Sequence, residues 1–304
     1  MEAGRYTPPP MVRDTRSTGA APFSGSPEPA AFFAGPPQEE SLARLEWLAA
    51  EGQRCGLVVG PTGSGKSHLA VMAGRRLAGL GAEVAVLSLR GLHAADWLEM
   101  LLERLPLDPA SRLEPLRPWL KLENRLRENT LLERTTALVF DDIDAAPAEV
   151  VDGITRLATA AEPRFARTLV VATTTPEGLG RLPEPLRRRA VVRIELASWT
   201  AQETAAYLAH EMARCGGTTG SFTPDAAATL ARCAAGVPRD IVALARLALA
   251  AATGDGAGAI DAGTVERAWR ELSTSWERSP PRDAPAESAA QPAPQVRVVR
   301  RLWG

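Results

Sequence analysis

From about residue 41 to residue 278 the chain alternates short apolar runs, rich in β-branched residues, with longer segments whose apolar positions recur at helical spacing. A strand buried on both faces reads as a continuous apolar run, and a covering helix is apolar on one side only, so the alternation predicts a parallel sheet covered by helices. Five strands are expected, at Gly56–Val59, Glu83–Leu89, Ala137–Phe140, Thr168–Thr173 and Val191–Leu196. After Leu196 the strands stop. Thr200-Ala-Gln-Glu203 has capping-box spacing and opens a helix to about Cys215, and Thr223-Pro224 supplies a cap and a first-turn proline for a helix that Gly236 can end. Two more helices are expected at about Arg239–Thr253 and Ala262–Leu272, the second capped by Asp261. The expected fold class is α/β: a doubly wound parallel-sheet domain over residues 41–197, followed by an α-helical lid domain over 198–274.

Proline marks the ends of this region. Residues 1–40 hold 8 prolines and residues 279–304 hold 5, together 13 of the 25 in the chain, so both flanks are poor candidates for packed structure. The segments 1–40 and 275–304 are read as proline-rich extensions. The final stretch from Gln295 to Gly304 differs, since it combines three arginines with apolar residues and carries no acid.

Composition narrows the function classes. Lys plus Arg number 35 against 36 Asp plus Glu, and a net charge of -1 gives no electrostatic reason to expect bulk binding to nucleic acid or an anionic membrane. Three widely spaced cysteines, Cys55, Cys215 and Cys233, form neither a disulfide framework nor a metal knuckle, which fits a reducing cytoplasm. No uncharged apolar run approaches the roughly 18 residues of a membrane span, and the N-terminus lacks the apolar core of a signal peptide. The expectation is a soluble, cytoplasmic protein.

The strongest chemical signal is the run Gly60, Pro61, Thr62, Gly63, Ser64, Gly65, Lys66, Ser67, a complete GxxxxGK-Ser/Thr match between a predicted strand and an amphipathic helix starting at Ser67. Its glycines let the backbone fold tightly enough for successive N–H groups to face β- and γ-phosphate oxygens, while the following helix presents its positive end to the same anion. Lys66 would neutralise phosphate charge and Ser67 would offer its hydroxyl oxygen to Mg²⁺. His68, next to the lysine, is counted with the nucleotide-binding residues, although a lone histidine on a helix is more often packing or surface than catalysis. The second signal is Leu138-Val-Phe-Asp141-Asp142, an apolar strand ending in two carboxylates. Such a strand end lies beside the phosphate loop in a parallel sheet, so Asp141 can hold Mg²⁺ through water and Asp142 can orient or deprotonate an attacking water. Asp144 is read as a loop or helix-cap residue.

The order of phosphate loop, Asp141-Asp142, a threonine-ended strand, Leu186-Arg-Arg-Arg189 and Gly236-Val-Pro-Arg239 resembles the AAA+ P-loop ATPases, and more narrowly the ExeA-like (general secretion pathway A) group. Pro22-Phe23, Phe32-Phe33 and Glu39-Glu40 are similar to the start of that group's members, and the resemblance runs from about Pro22 to Leu272. It implies a P-loop NTPase core, ATP and Mg²⁺ as cofactors, and a homo-oligomer. By position it implies that Thr174, or its neighbour Thr173 or Thr175, is the polar residue that positions water near the γ-phosphate. Arg189, with Arg187 and Arg188 as the alternatives in the same run, then matches the finger supplied to a neighbouring subunit's nucleotide, and Arg239 the arginine reaching from the lid.

Two departures bear on function. Such ATPases usually carry glutamate where Asp142 stands, and a positioned base contributes roughly 10²–10⁴-fold, so the shorter side chain predicts slow turnover. Group members also commonly continue into a membrane segment and a cell-wall-binding domain, and this chain is expected to have neither. Three readings follow: an ATPase driving assembly or remodelling of a protein complex, envelope- or secretion-related by the resemblance; an ATP-dependent switch or scaffold with little hydrolysis; and a DNA-target regulator like the transposition ATPases, which the near-neutral charge disfavours. The sequence names no client protein. A P-loop kinase is disfavoured because no phosphoryl-acceptor motif is present.

Overall fold

The computed structural model describes residues 22–23, 25, 31–107, 116–216, 222–254 and 259–277. Its centre is a five-stranded parallel sheet of β1 (Cys55–Val59), β2 (Glu83–Ser88), β3 (Thr136–Asp141), β4 (Thr168–Thr174) and β5 (Val192–Glu195). The strand order is β2-β3-β4-β1-β5. Each expected strand is present within one residue of its expected ends. The three central strands β1, β3 and β4 are buried at every position, which is why they are apolar throughout. At the edges, β2 alternates buried with more exposed positions and β5 buries Ile194 alone.

Alternate side chains face two helical layers. Val58, Val139, Leu169 and Val171 pack with α1 (Pro36–Ala50) and α2 (Lys66–Gly79). Leu57, Leu138, Phe140 and Val170 face the opposite layer of α3 (Trp97–Arg104), α4 (Pro118–Leu131), α5 (Ala148–Thr159) and α7 (Glu184–Arg189), while the short α6 (Pro176–Arg181) follows β4. A separate core, including Leu208, Leu230, Leu244 and Val265, joins α8 (Ala201–Arg214), α9 (Pro224–Cys233), α10 (Pro238–Gly254) and α11 (Ala262–Glu277). Their starts are encoded locally. Thr200 and Glu203 make both bonds of a capping box, the Thr223 side chain accepts the Ala226 N–H at 3.2 Å, and Asp261 accepts the Thr264 N–H at 2.8 Å. The last helix runs further than the sequence pattern suggests, to Glu277.

Packing enters the proline-rich N-terminal segment, contrary to its reading as poor material for a core. Pro36 and Pro37 occupy the first turn of α1, where a fixed φ and a missing N–H cost nothing, so the helix begins before residue 41. Phe23 is completely buried in the helical bundle, with ring centroids 5.8 Å from Phe222 and 6.1 Å from Tyr207. Its backbone N–H donates to the buried Glu211 carboxylate at 3.3 Å. The Phe23 φ of 58° is unusual for a residue with a side chain, and burial of the ring offsets that strain. The stretch from Gln295 to Gly304 lies outside the described residues.

Cys55 is buried, Cys215 and Cys233 are partly exposed, and all three are free thiols. Among the described residues no helix is long and apolar enough to cross a membrane.

Phe23→Ala is expected to remove about 3–5 kcal/mol of stability, the usual cost of truncating a fully buried phenylalanine. Urea unfolding followed by circular dichroism checks it, and a loss under about 1 kcal/mol would mean that the ring is not part of the bundle core.

Candidate nucleotide-binding site

The segment after β1 turns under the ends of the central strands. The Gly60 N–H donates to the Thr174 carbonyl at 3.1 Å, the Ser64 N–H to the Pro61 carbonyl at 3.2 Å, and Gly63 and Gly65 take left-handed φ values of 87° and 94°. Helix α2 then begins at Lys66, one residue earlier than expected. Its cap position is Gly65, so no side chain caps it, and its first turn contains no acid. The partial positive charge of the helix start is therefore left uncompensated beside the cleft. Ser67, exposed in that first turn, and His68 both line the cleft, and the His68 ring packs edge-on to Phe32 at 5.1 Å.

Lys66 is 5% exposed, and its ammonium donates to the carbonyls of Gly60 at 2.8 Å and Pro61 at 3.0 Å. Burial lowers its pKa below the ordinary lysine value, and the carboxylates of Asp142, Asp144 and Asp141 oppose that shift without cancelling it. Asp141 ends β3, is nearly buried, and accepts the Thr173 hydroxyl proton at 2.6 Å. Asp142 follows with a left-handed φ of 57°; its N–H donates to the Thr173 hydroxyl oxygen at 2.8 Å and its carboxylate accepts Arg90 Nε at 3.0 Å. Asp144 caps no helix: its carboxylate accepts both the N–H and the hydroxyl of Thr175. Burial favours its neutral form, but those hydrogen bonds outweigh burial and hold the carboxyl below the usual range.

The phosphate loop, Asp141 and Asp142 line one cleft of about 710 Å³. Its far wall comes from the helical bundle and the N-terminal segment, through Arg239, Trp199, Tyr207, Phe32 and Phe33. Arg239 is held there by backbone contact, its N–H donating to the Gly63 carbonyl at 3.1 Å. Gly236 makes the preceding turn possible: its φ is 69°, and a Cβ there would lie 2.4 Å from the Trp199 carbonyl oxygen.

Two residues singled out from the sequence stand elsewhere. Thr174 is fully buried, does not line the cleft, and bonds the Thr175 carbonyl through its hydroxyl at 3.3 Å. Thr173 is the threonine that meets the acids. Arg189 ends α7 in an exposed position near Arg54 and Cys55, at the opposite end of the sheet from the phosphate loop. Its neighbours are locally engaged, Arg187 with the Leu182 carbonyl at 3.1 Å and Arg188 with Glu184 at 2.5 Å. Arg90 was missed by sequence reasoning. It lies two residues after Ser88, which pairs with Asp141 across β2 and β3, so strand register alone brings it to Asp142.

A parallel sheet with a phosphate loop after β1, an acid pair after β3 and a helical lid over the cleft defines a P-loop nucleotide-binding protein. Residues 49–182 match the family model for an AAA domain, and the fold is that of the AAA+ P-loop NTPases. It is 28% identical over 259 residues to General secretion pathway protein A of Aeromonas hydrophila, a match covering 83% of this chain and 47% of that protein. The chain thus spans about half the length of this curated relative. Among solved structures it resembles Cdc6p of Pyrobaculum aerophilum, with 17% identity and a TM-score of 0.63 over 81% of this chain and 70% of that one. The ORC2 protein of Aeropyrum pernix, in ADPNP-ADP complexes, gives 13% identity and 0.60 over 80% and 70% of the two chains. The RuvB Holliday junction branch migration motor of Thermotoga maritima gives 22% and 0.52 over 79% and 70%. At these identities the three structures speak for the fold alone.

Gly63 and Gly65 separate backbone strain from lid contact. A Cβ on either meets a left-handed φ, a cost of about 1–2 kcal/mol. On Gly63 it would also lie 2.9 Å from Val237 and 3.0 Å from the Arg239 Cβ, whereas around Gly65 nothing lies within 4 Å. Gly63→Ala is therefore expected to lose about 1 kcal/mol more stability than Gly65→Ala in urea unfolding. Equal losses would show that the lid does not rest on the phosphate loop.

Proposed function

We propose that the protein binds Mg²⁺-ATP in this cleft and hydrolyses it to drive assembly or remodelling of a protein complex. The observation that carries the reading is the uncapped start of α2, with Lys66 beside it and Asp141 and Asp142 in the same cleft. Backbone N–H groups of residues 63–67 and the Lys66 ammonium suit a polyphosphate. The Ser67 hydroxyl and the Asp141 carboxylate form a hard oxygen donor set that fits Mg²⁺ and would hold it, and the bound ion would supply charge neutralisation at the phosphates. Asp142 is then the group that orients or deprotonates water, and Arg239 the lid cation. In this reading residues 41–197 form the nucleotide-binding domain and 198–274 the lid, flanked by 1–40 and 275–304.

A secretion- or envelope-related complex is the client class that the likeness to General secretion pathway protein A supports. The free cysteines support a reducing, cytoplasmic location. One observation favours a second reading, a nucleotide-dependent switch with little hydrolysis. The Asp142 carboxylate, already one methylene shorter than the glutamate usual in the family, has its Oδ2 engaged by Arg90 Nε in this conformation, which leaves that oxygen less free to hold a water.

Calorimetry and a phosphate-release assay test the assignment. Lys66→Ala should weaken ATP binding by about 10- to 100-fold, the worth of lost charge-assisted hydrogen bonds. Asp142→Asn should keep affinity and lower turnover by about 100-fold or more. Normal binding by the lysine variant would remove the phosphate-loop reading, and zero turnover in the wild type with tight ATP binding would select the switch.

The remote position of Arg189 supports a role in trans, in a homo-oligomer. Arg189→Ala should bind ATP nearly normally yet lose hydrolysis, because a guanidinium from outside acts on charge developing in the transition state. Mixed with Lys66→Ala protein it should recover activity, since some sites in mixed oligomers are then complete. No recovery in mixed oligomers confirmed by mass would assign the finger to another arginine or to none.

A further inference from the structure

The strand order sets β4 between β1 and β3, so the last residues of β4 stand between the phosphate loop and the acid pair. Thr173 and Thr174 occupy that place, Thr175 follows as the cap of α6, and each hydroxyl has its own partner. Thr174 bonds the Thr175 carbonyl, Thr175 bonds Asp144, and Thr173 bonds the acid pair itself. Thr173 is completely buried. Its hydroxyl donates to Asp141 Oδ1 at 2.6 Å and accepts the Asp142 N–H at 2.8 Å.

A hydroxyl has one proton to give, and here it is committed to Asp141, so none is left for a nucleotide or a water. We propose that Thr173 is a positioning residue that sets both acids at once through its hydroxyl and does not touch the nucleotide. The inference rests on the reading of Asp141 and Asp142 given above and assigns a device to that same site.

The bond to Oδ1 stops the Asp141 carboxylate from rotating about its Cβ–Cγ axis, so it meets the cleft in one orientation. The second bond acts on the backbone. Asp142 takes a φ of 57°, a conformation that side-chain-bearing residues avoid, and this is the conformation in which its carboxylate reaches Arg90 Nε. An N–H fixed by a buried side chain supports that turn without a glycine. One hydroxyl thereby couples the side chain of the first acid to the backbone of the second. A valine at this place would keep the shape and suit the buried strand, which carries Val170 and Val171, but it would leave a carboxylate oxygen and an N–H without this partner.

The test compares Thr173→Val and Thr173→Ser with the wild type. ADP affinity is measured by calorimetry with and without Mg²⁺, together with melting temperature and steady-state ATP hydrolysis. The valine variant should keep Mg²⁺-free ADP affinity within about twofold and lose about tenfold of the increment that Mg²⁺ adds, the scale of one charge-assisted hydrogen bond. Its kcat should fall with little change in KM, and serine should restore both readouts. If valine does not fold, Thr173→Cys, close in size and a weak hydrogen-bonding group, carries the same measurement. An unchanged Mg²⁺ increment in the folded valine or cysteine variant would overturn the proposal, as would an equal loss of affinity with and without Mg²⁺, or a serine variant that rescues nothing. Failure of the two readings is distinguishable. A wild type that binds Mg²⁺-ADP through Thr173 but never hydrolyses ATP removes the ATPase and keeps Thr173, whereas active protein with an indifferent Thr173 does the reverse.

Discussion

The cleft is organised around an unbalanced charge. Helix α2 starts on a left-handed glycine, with no side chain to cap its N–H groups and no acid in its first turn. In the lid, by contrast, Thr200, Thr223 and Asp261 close the starts of α8, α9 and α11 with their own side chains. The surroundings of α2 answer the same imbalance in other ways. Lys66 turns its ammonium onto the carbonyls of Gly60 and Pro61, and three aspartates lie close enough to counter its charge. The lid meets the phosphate loop through backbone, Arg239 N–H to Gly63 carbonyl, so a change in the loop is carried directly to the start of α10.

What the sequence shows plainly is what short-range physics determines. Buried strands are apolar runs, helix starts are capping residues, and the phosphate loop is a contiguous motif, so the strands, the four lid helices and residues 60–67 are legible as local patterns. Arg90 and Thr173 depend on register. Neither belongs to a motif with Asp142, and their contacts exist because β2 and β4 flank β3 in parallel with particular residues side by side. A one-residue slip of β4 would send Thr173 to the other face of its strand, and one of β2 would move Arg90 away from Asp142. The choice among Thr173, Thr174 and Thr175 is of this kind, since three identical side chains follow one another and only strand pairing decides that Thr173 meets the Asp141-Asp142 pair. Phe23 was hidden for a different reason. Proline density argues against packing on average, but it does not exclude one apolar residue from reaching a distant core.

The two ends of the sheet carry opposite chemistry. At the carboxyl ends of β1 and β3 lie the phosphate loop and the aspartates. At the other end Arg54 donates to the carbonyls of Leu157 and Ala160, closing the last turn of α5, and Arg189 stands near it. Burial and the charge of Arg189 both lower the Arg54 pKa, and burial pushes the Cys55 thiol between them up to about 12. A thiol so shielded stays protonated and unreactive at neutral pH despite two nearby cations. The polarity of the sheet thus separates the end that carries the phosphate loop and the aspartates from the end that carries Arg54 and Arg189.

The burial of Phe23 also fixes an order of events in time. Its N–H reaches Glu211 across 188 residues of sequence, whereas the four lid helices touch one another over short stretches of chain. Local contacts form first because little chain entropy is lost in closing them, and the longest loop closes late. During synthesis Phe23 emerges well before α8 and Phe222 and must wait until they have followed. The last piece of the lid core to arrive is therefore the one made before the rest of that core.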